Sequence, residues 1–328
     1  MRYYLILNLA ILLKYHFVYF TFVQKTTNMR TLSYLFSILI TFLCISFNGY
    51  SQELATELNT GYKVGNYEVF VFTEGSGDAE TGLLIDAPAD ITAKYAPNGT
   101  FSIATNVVLV KGKGKVWLID TGYGWKIFEQ MKNLGVECQD VDQILLTHMH
   151  GDHVGGMLLD GNPVFVNSSI AVGDKELAYW SSDVEMNKFP PDQRKNFHTV
   201  QKIKEQYGTK VKTVQALALD GDYGDGIFPI EAYGHTPGHI MYLISDGGEK
   251  LLVWGDLIHA LAIQMPYPEI SITYDVDPDM ARETRLKVLE YLADKDITVI
   301  GMHVPVPQPG KIVKDEISGG YRFLSKLK

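Results

Sequence analysis

Thr147-His148-Met149-His150-Gly151-Asp152-His153 follows directly on the apolar run Ile144-Leu145-Leu146. Three imidazoles and one carboxylate fall within the six residues His148 to His153. Packing alone explains such a strand end poorly. In α/β folds, strand ends are where side chains from distant parts of the chain converge. His and Asp are ligands that zinc and other first-row divalent ions accept. The bland alternative is a polar loop whose histidines satisfy local hydrogen bonds. Further ligand-type residues downstream weigh against it.

Four other stretches repeat the pattern. Gly234-His235-Thr236-Pro237-Gly238-His239 follows a strand expected over Ile227 to Ala232. Trp254-Gly255-Asp256 ends one expected over Lys250 to Trp254, and Gly301-Met302-His303 ends the last expected strand, Thr298 to Met302. Asp120-Thr121-Gly122 closes a strand over Lys115 to Ile119. Each sets a ligand-type side chain just past an apolar strand, beside a glycine that lets the backbone turn tightly.

Taken in order, Gln52 to Gly65 reads as a polar arm and Tyr67 to Phe72 as a strand stopped by Glu74-Gly75-Ser76-Gly77-Asp78. Residues 78–100 read as an irregular loop or lid. Ser102 to Val110 and Lys115 to Ile119 form a hairpin across Lys111-Gly112-Lys113-Gly114. Trp125 to Leu134 has helical spacing and stops at Gly135, before a strand over Gln143 to Thr147. Strands are expected at Pro163 to Val166 and Ser169 to Val172, then a helix capped by Asp174 and running through Leu177 and Trp180. A polar insert over 183–207 carries Pro190-Pro191 and a helix ending at Tyr207. Further strands follow at Val211 to Ala216, Ile240 to Ser245 and the positions above. Asp277-Pro278 opens a helix with Leu286, Leu289 and Leu292 on one face. The pattern predicts one α/β (α+β) domain of two strand-rich halves closed by helices, with the ligands at strand ends between them.

The 328 residues begin unlike the rest. Residues 1–51 lack Asp and Glu and hold two apolar stretches, Tyr3 to Val23 and Leu32 to Phe47. Met29-Arg30, the apolar run Leu35 to Ile45 and Gly49-Tyr50-Ser51 read as a secretory signal cleaved before Gln52. Translation is then expected to start at Met29, with 1–28 an upstream misannotation. The rival is a tethered protein in which Tyr3 to Val23 spans a bilayer. The mature chain, 52–328, is expected to be periplasmic or secreted, without membrane attachment, and keeps one cysteine, Cys138. Losing Arg2, Lys14, Lys25 and Arg30 moves the formal charge from −9 to −13. Such acidity argues against nucleic acid or an anionic membrane as partner.

The HxHxDH run, the GHTPGH run and the late Asp and His together resemble the metallo-β-lactamase superfamily over the whole mature chain. Within it the chain looks most like the secreted methyl parathion hydrolase-like and N-acyl homoserine lactone lactonase branch. Val64-Gly65-Asn66-Tyr67-Glu68-Val69, Gly255-Asp256-Leu257-Ile258 and Gly319-Gly320-Tyr321-Arg322-Phe323 carry that likeness. The resemblance implies an αββα sandwich of two mixed sheets flanked by helices. It implies two zinc ions: His148, His150 and His235 on the first, Asp152, His153 and His303 on the second, and Asp256 bridging both. It also carries the expectation of a homodimer, using the insert at 183–207.

The chemistry of the residues agrees. Seven ligands, one shared, give about four per ion and leave room for water, which two ions roughly 3.5–4 Å apart turn into hydroxide at neutral pH. Asp152 and His259 are the catalytic candidates. Many lactonases of the superfamily carry Tyr where this chain has His259, whose imidazole can donate to a developing oxyanion or protonate the leaving oxygen; a plain backbone-bonded histidine is its alternative. Asp120, with Thr147 and Thr236, is the candidate partner for the outer nitrogens of the imidazoles. His239 reads as a support for the ligands, as a ligand or as a packed histidine, and His198 as a solvated one. Met149, Trp180, Met265, Tyr267 and Phe101 are candidate walls of an apolar cleft. The expected substrate is a small neutral lactone or ester, above all an N-acyl homoserine lactone, as in quorum quenching. An organophosphate triester or aryl ester is the alternative. The same ligands accept Mn, Fe or Co.

Overall fold

A computed structural model describes residues 61–325. The expected signal sequence, its upstream stretch and most of the polar arm lie outside the described residues. Among the described residues no helix is long and apolar enough to cross a membrane.

Two mixed sheets lie face to face. The first runs Tyr62–Val64, Tyr67–Glu80, Thr100–Gly112, Lys115–Ile119, Gln143–Leu145, Ser169–Gly173, Val211–Val214. It is antiparallel as far as Lys115–Ile119 and parallel beyond. The second runs Gly226–Glu231, Ile240–Asp246, Glu249–Val253, Thr298–Ile300, Gly310–Lys314, Tyr321–Ser325. Its one parallel pair is Glu249–Val253 with Thr298–Ile300. Val69, Val108, Val110, Ile119 and Leu145 of the first sheet meet Ile240, Tyr242, Ile244, Leu251 and Val253 of the second in a buried central layer. Every residue of Ile240–Asp246 is buried, and its apolar run Ile240 to Ile244 is what a strand covered on both faces requires.

Helices close the outer faces. Ile127 and Met131 of the helix Ile127–Asn133, and Phe197, Val200 and Ile203 of Lys195–Tyr207, pack on the first sheet. Val288, Leu289 and Leu292 of Pro278–Lys295 pack on the second. Asp277 caps that helix by accepting from Met280 N at 3.0 Å, with Pro278 in its first turn. The four layers are the αββα sandwich that the resemblance implies.

The structure corrects several local expectations. Tyr67–Glu80 does not stop at Glu74 but continues past a bulge between Thr73 and Gly75, because Thr100–Asn106 offers it a partner. Residues 78–100 are not one irregular loop: they hold the end of that strand and the helix Ala89–Tyr95. Only Pro163 of the run Pro163 to Val166 is in a strand, a two-residue one. Gly173, not Asp174, precedes the helix Asp174–Trp180, and Asp174 sits in its first turn. Leu286 is 39% exposed, and Ala281 and Arg285 complete the buried face instead. Thr298–Ile300 is not the last strand: a hairpin of Gly310–Lys314 and Tyr321–Ser325 extends the sheet beyond it.

Candidate metal centre

The strands that end in ligand-type residues point them to one place. Lys115–Ile119, Gln143–Leu145 and Ser169–Gly173 are parallel neighbours, so Asp120, the 147–153 run and the helix Asp174–Trp180 leave the sheet at the same edge. In the second sheet Asp256 and His303 follow its parallel pair. Backbone bonds join the two edges: Ile240 N donates to Thr147 O at 2.9 Å, and Asn106 N to Met302 O at 2.8 Å.

The side chains gather in overlapping groups. His148, His150, His235 and Asp256 present ligand atoms within 4.8 Å of one another, as do Asp152, His153 and His303. Asp256 joins the groups. Its Oδ1 lies 3.1 Å from His153 Nε2, while Oδ2 lies 2.9 Å from His303 Nε2, 3.3 Å from His235 Nε2 and 3.6 Å from His148 Nε2. His150 Nδ1 lies 3.0 Å from both His148 Nε2 and His235 Nε2. His153 and His303 Nε2 approach Asp152 Oδ2 at 3.6 and 3.5 Å.

Most of the imidazoles are fixed from behind. His153 Nδ1 donates to Asp120 Oδ2 at 2.7 Å, and the same carboxylate accepts from Thr147 N and Oγ1. His235 Nδ1 donates to Asp275 Oδ1 at 2.9 Å, His303 Nδ1 to the Ala104 carbonyl at 2.7 Å. His148 Nδ1 lies 3.1 Å from Thr147 Oγ1. An outer acceptor aims the inner nitrogen and raises its basicity.

These residues fit divalent cations. His153 Nε2 and Asp256 Oδ1 are buried without a hydrogen-bond partner, a costly state unless something else fills the space between them. Burial opposes charge on His153, yet Asp256, Asp152 and Asp120 hold its pKa well above the imidazole range. Burial likewise opposes charge on Asp256, and His153, His303 and His148 outweigh it, keeping the carboxyl well below its usual range. Protein carboxylates thus concentrate negative potential where ligand nitrogens meet, and the donor set of imidazole and carboxylate suits zinc and its neighbours.

His239 stands one step back. Its Nδ1 donates to the Ala232 carbonyl at 2.8 Å, and its Nε2 accepts from Asp256 N at 3.0 Å, so the ring steers Asp256 through the backbone. Gly255 makes room: it has φ +60°, and a Cβ there would stand 2.4 Å from His239 Nε2. Thr236 gives its hydroxyl to Glu176, not to an imidazole. His198 is exposed on Lys195–Tyr207.

His259 lies within the centre. Its Nε2 is 3.1 Å from Asp256 Oδ2, its ring stacks on His303 with centroids 4.7 Å apart, and its Nδ1 has no partner. The alternative of a ring tied to the backbone is not what forms; the backbone N of His259 bonds Gln264 instead.

A cavity of about 620 Å³ opens over these side chains. Its outer wall is aromatic: Tyr123 and Trp125 stack at 4.4 Å, 42% and 69% exposed, with Tyr274 and Ile103 nearby. No Lys or Arg lines it among the described residues. The expected wall differs. Met149 is core, Trp180 packs edge-on against His150 from behind, and Tyr267 packs on Tyr95. Phe101 and Met265 line a separate cavity. Glu74 fixes the true wall, its buried carboxylate accepting from Gly124 N, Lys126 N and Ile127 N. Sequence reading missed Asp275, Glu176 and Glu74, acidic residues outside any ligand-like motif.

The family model described as "Metallo-beta-lactamase superfamily" matches residues 103–303. Among solved structures, the chain is similar to AidC, a dizinc quorum-quenching lactonase in complex with the product N-hexanoyl-L-homoserine. It is 26% identical to AidC, covering 82% of this chain and 97% of that one, with TM-score 0.73. The hydrolase AbOPH of the beta lactamase superfamily is 29% identical, covering 82% and 97%, with TM-score 0.72. A curated relative, ribonuclease Z of Prochlorococcus marinus (strain MIT 9301), is 25% identical over 188 residues, which are 50% of this chain and 59% of that protein. The chain therefore spans less than two thirds of that relative's length. Family model, sheet order and ligand geometry agree, and the chain belongs to the metallo-β-lactamase superfamily.

Proposed function

We propose that the protein is a dinuclear metal-dependent hydrolase of lactones and esters, with N-acyl homoserine lactones as preferred substrates. One observation carries the reading: Asp256 sits where both ligand groups meet, Oδ1 3.1 Å from His153 Nε2 and Oδ2 within 2.9–3.6 Å of His303, His235 and His148 Nε2. His148, His150 and His235 would hold one ion, Asp152, His153 and His303 the other, and Asp256 both. Zinc is the favoured ion. Two such ions, when bound, would acidify water and polarise a carbonyl oxygen.

The chain's own residues supply the rest. Burial brings the His259 pKa down to about 4, so at neutral pH the ring is uncharged. Its single N–H, on Nε2 and 3.1 Å from Asp256 Oδ2, is shared between that carboxylate and the developing oxyanion, and the ring passes no proton to the leaving group. Asp152 is the more accessible carboxylate, with its side chain 20% exposed at the cavity floor. Its carboxylate is the acceptor for the proton lost by the attacking water and returns that proton to the leaving oxygen. Tyr123, Trp125 and Tyr274 bind the acyl arm by apolar contact and exclude water from the carbonyl.

The likeness to AidC supports the lactone, and the cavity's lack of Lys and Arg argues against a polyanion such as RNA. Export to the periplasm or beyond, and a homodimer, complete the proposal. Hydrolysis by the metal-loaded protein of N-hexanoyl-homoserine lactone, paraoxon and a model RNA tests it. Lactone turnover is expected to dominate. Strong phosphotriester turnover without lactone turnover would overturn the preference, and RNA cleavage alone would overturn the substrate class.

A further inference from the structure

Glu176, on the helix Asp174–Trp180, is fully buried, and none of its hydrogen bonds goes to the seven proposed ligands. Its carboxylate accepts four hydrogen bonds. Oε1 takes Met149 N at 2.8 Å and Trp180 Nε1 at 2.7 Å. Oε2 takes Thr236 Oγ1 at 2.6 Å and Gly238 N at 3.0 Å. Met149 lies between His148 and His150, and Thr236 follows His235. The Trp180 ring packs against His150 with centroids 5.4 Å apart. Among the described residues no acceptor stands behind the outer nitrogen of His150, so this packing holds its ring. Gly238 comes so close that a Cβ there would stand 2.0 Å from Glu176 N. One carboxylate thus ties together the two loops that carry His148, His150 and His235. Asp152 and His153 of the other group share the loop of His148 and His150, but His153 has its own anchor in Asp120 and His303 in the Ala104 carbonyl.

We propose that Glu176 is a positioning residue that sets the affinity of one metal position, the one formed by His148, His150 and His235, and leaves the other largely untouched. This rests on the two-ion reading above. Removing the carboxylate leaves three buried donors unmatched on the two loops, Met149 N, Thr236 Oγ1 and Gly238 N, and a fourth, Trp180 Nε1, on the helix itself. Partners behind metal ligands typically govern 10–100-fold in affinity. Gln at this position keeps an oxygen for Met149 and Trp180. Its amide group can donate to a turned Thr236 hydroxyl but opposes Gly238 N, so the loss is partial.

Zinc affinity of the full-length protein, by chelator competition, gives one constant per bound ion. Glu176→Ala is expected to weaken one ion by about 10–100-fold and to leave the second as in the wild type. Glu176→Gln should fall between. Trp180→Phe, which keeps an aromatic ring but loses the N–H and part of the indole packed on His150, should weaken the same ion slightly; these two variants carry the test if the alanine protein does not fold. The tight ion that remains should be the one His303→Ala removes. Equal weakening of both ions, or a lowered melting temperature with both affinities intact, would overturn the inference. A wild-type protein that takes one ion overturns the two-ion reading instead. The role of Glu176 then stands if the variants weaken that ion and falls if they do not.

Discussion

Asp275→Asn exchanges one oxygen for an amide group of nearly the same size, and so changes polarity without volume. The side chain is fully buried, with Oδ1 accepting from His235 Nδ1 at 2.9 Å. Oδ2 accepts from Ile272 N at 3.2 Å and Arg285 Nη2 at 3.4 Å. Asn has no good orientation. With its oxygen toward His235, its NH2 faces two donors; reversed, it faces the imidazole N–H. Arg285, 1% exposed, also loses the carboxylate opposite it. Breaking one side of a buried ion pair costs about 3–5 kcal/mol. Arg285 keeps its bonds to the Leu257, Pro268 and Ile270 carbonyls, which favours the lower end, about 3 kcal/mol. At about 2–4 °C per kcal/mol for a domain of this size, the melting temperature should fall by roughly 6–12 °C. The loosened His235 should also weaken metal binding by about 10–100-fold. Thermal unfolding of the metal-free protein reads the first effect and chelator competition the second. An unchanged melting temperature, or a lowered one with unchanged metal affinity, would refute the coupling of Arg285 through Asp275 to His235.

Other outcomes follow from the same geometry. His259→Ala should lower kcat/KM for a lactone by about 10²–10³-fold while metal content stays the same; loss of an ion would make His259 a ligand instead. Gly255→Ala forces a side chain into a left-handed backbone against His239, at about 1–3 kcal/mol of strain, and should lower both stability and metal content, read by unfolding and elemental analysis. Trp125→Ala should raise KM for long-chain lactones with little change in kcat, and equal KM values would remove the aromatic wall from substrate binding. Saturating zinc at about 1,000 times Kd should stabilise the fold by about 4 kcal/mol; equal melting curves with and without zinc would argue against ligation in the native state.

The centre was legible because its chemistry is tied to residue type and position. Imidazoles and carboxylates just past apolar strands are poor packing residues and good metal ligands, and Asp120, His235, Asp256 and His303 meet where the strand ends put them. The supports were less legible. Ala104 contributes a main-chain carbonyl, which carries no side-chain signal at all. Asp275 looks like a turn residue, and Glu176 like the exposed face of a short helix. The one available cue was its place one turn before Trp180, after a strand end. The cavity wall was misplaced for a related reason. Gly75-Ser76-Gly77 reads locally as a turn, yet pairing with Thr100–Asn106 holds it extended, and it frames the cavity beside Trp125. Local sequence cannot register a pairing partner some thirty residues away.

The ion count of the purified full-length protein bears most directly on the paired-ligand centre. Elemental analysis alongside turnover of N-hexanoyl-homoserine lactone should give two divalent ions per chain, with activity that disappears on chelation and returns when zinc is restored. A protein that holds no ion, or keeps its full turnover after every ion is stripped, would contradict it.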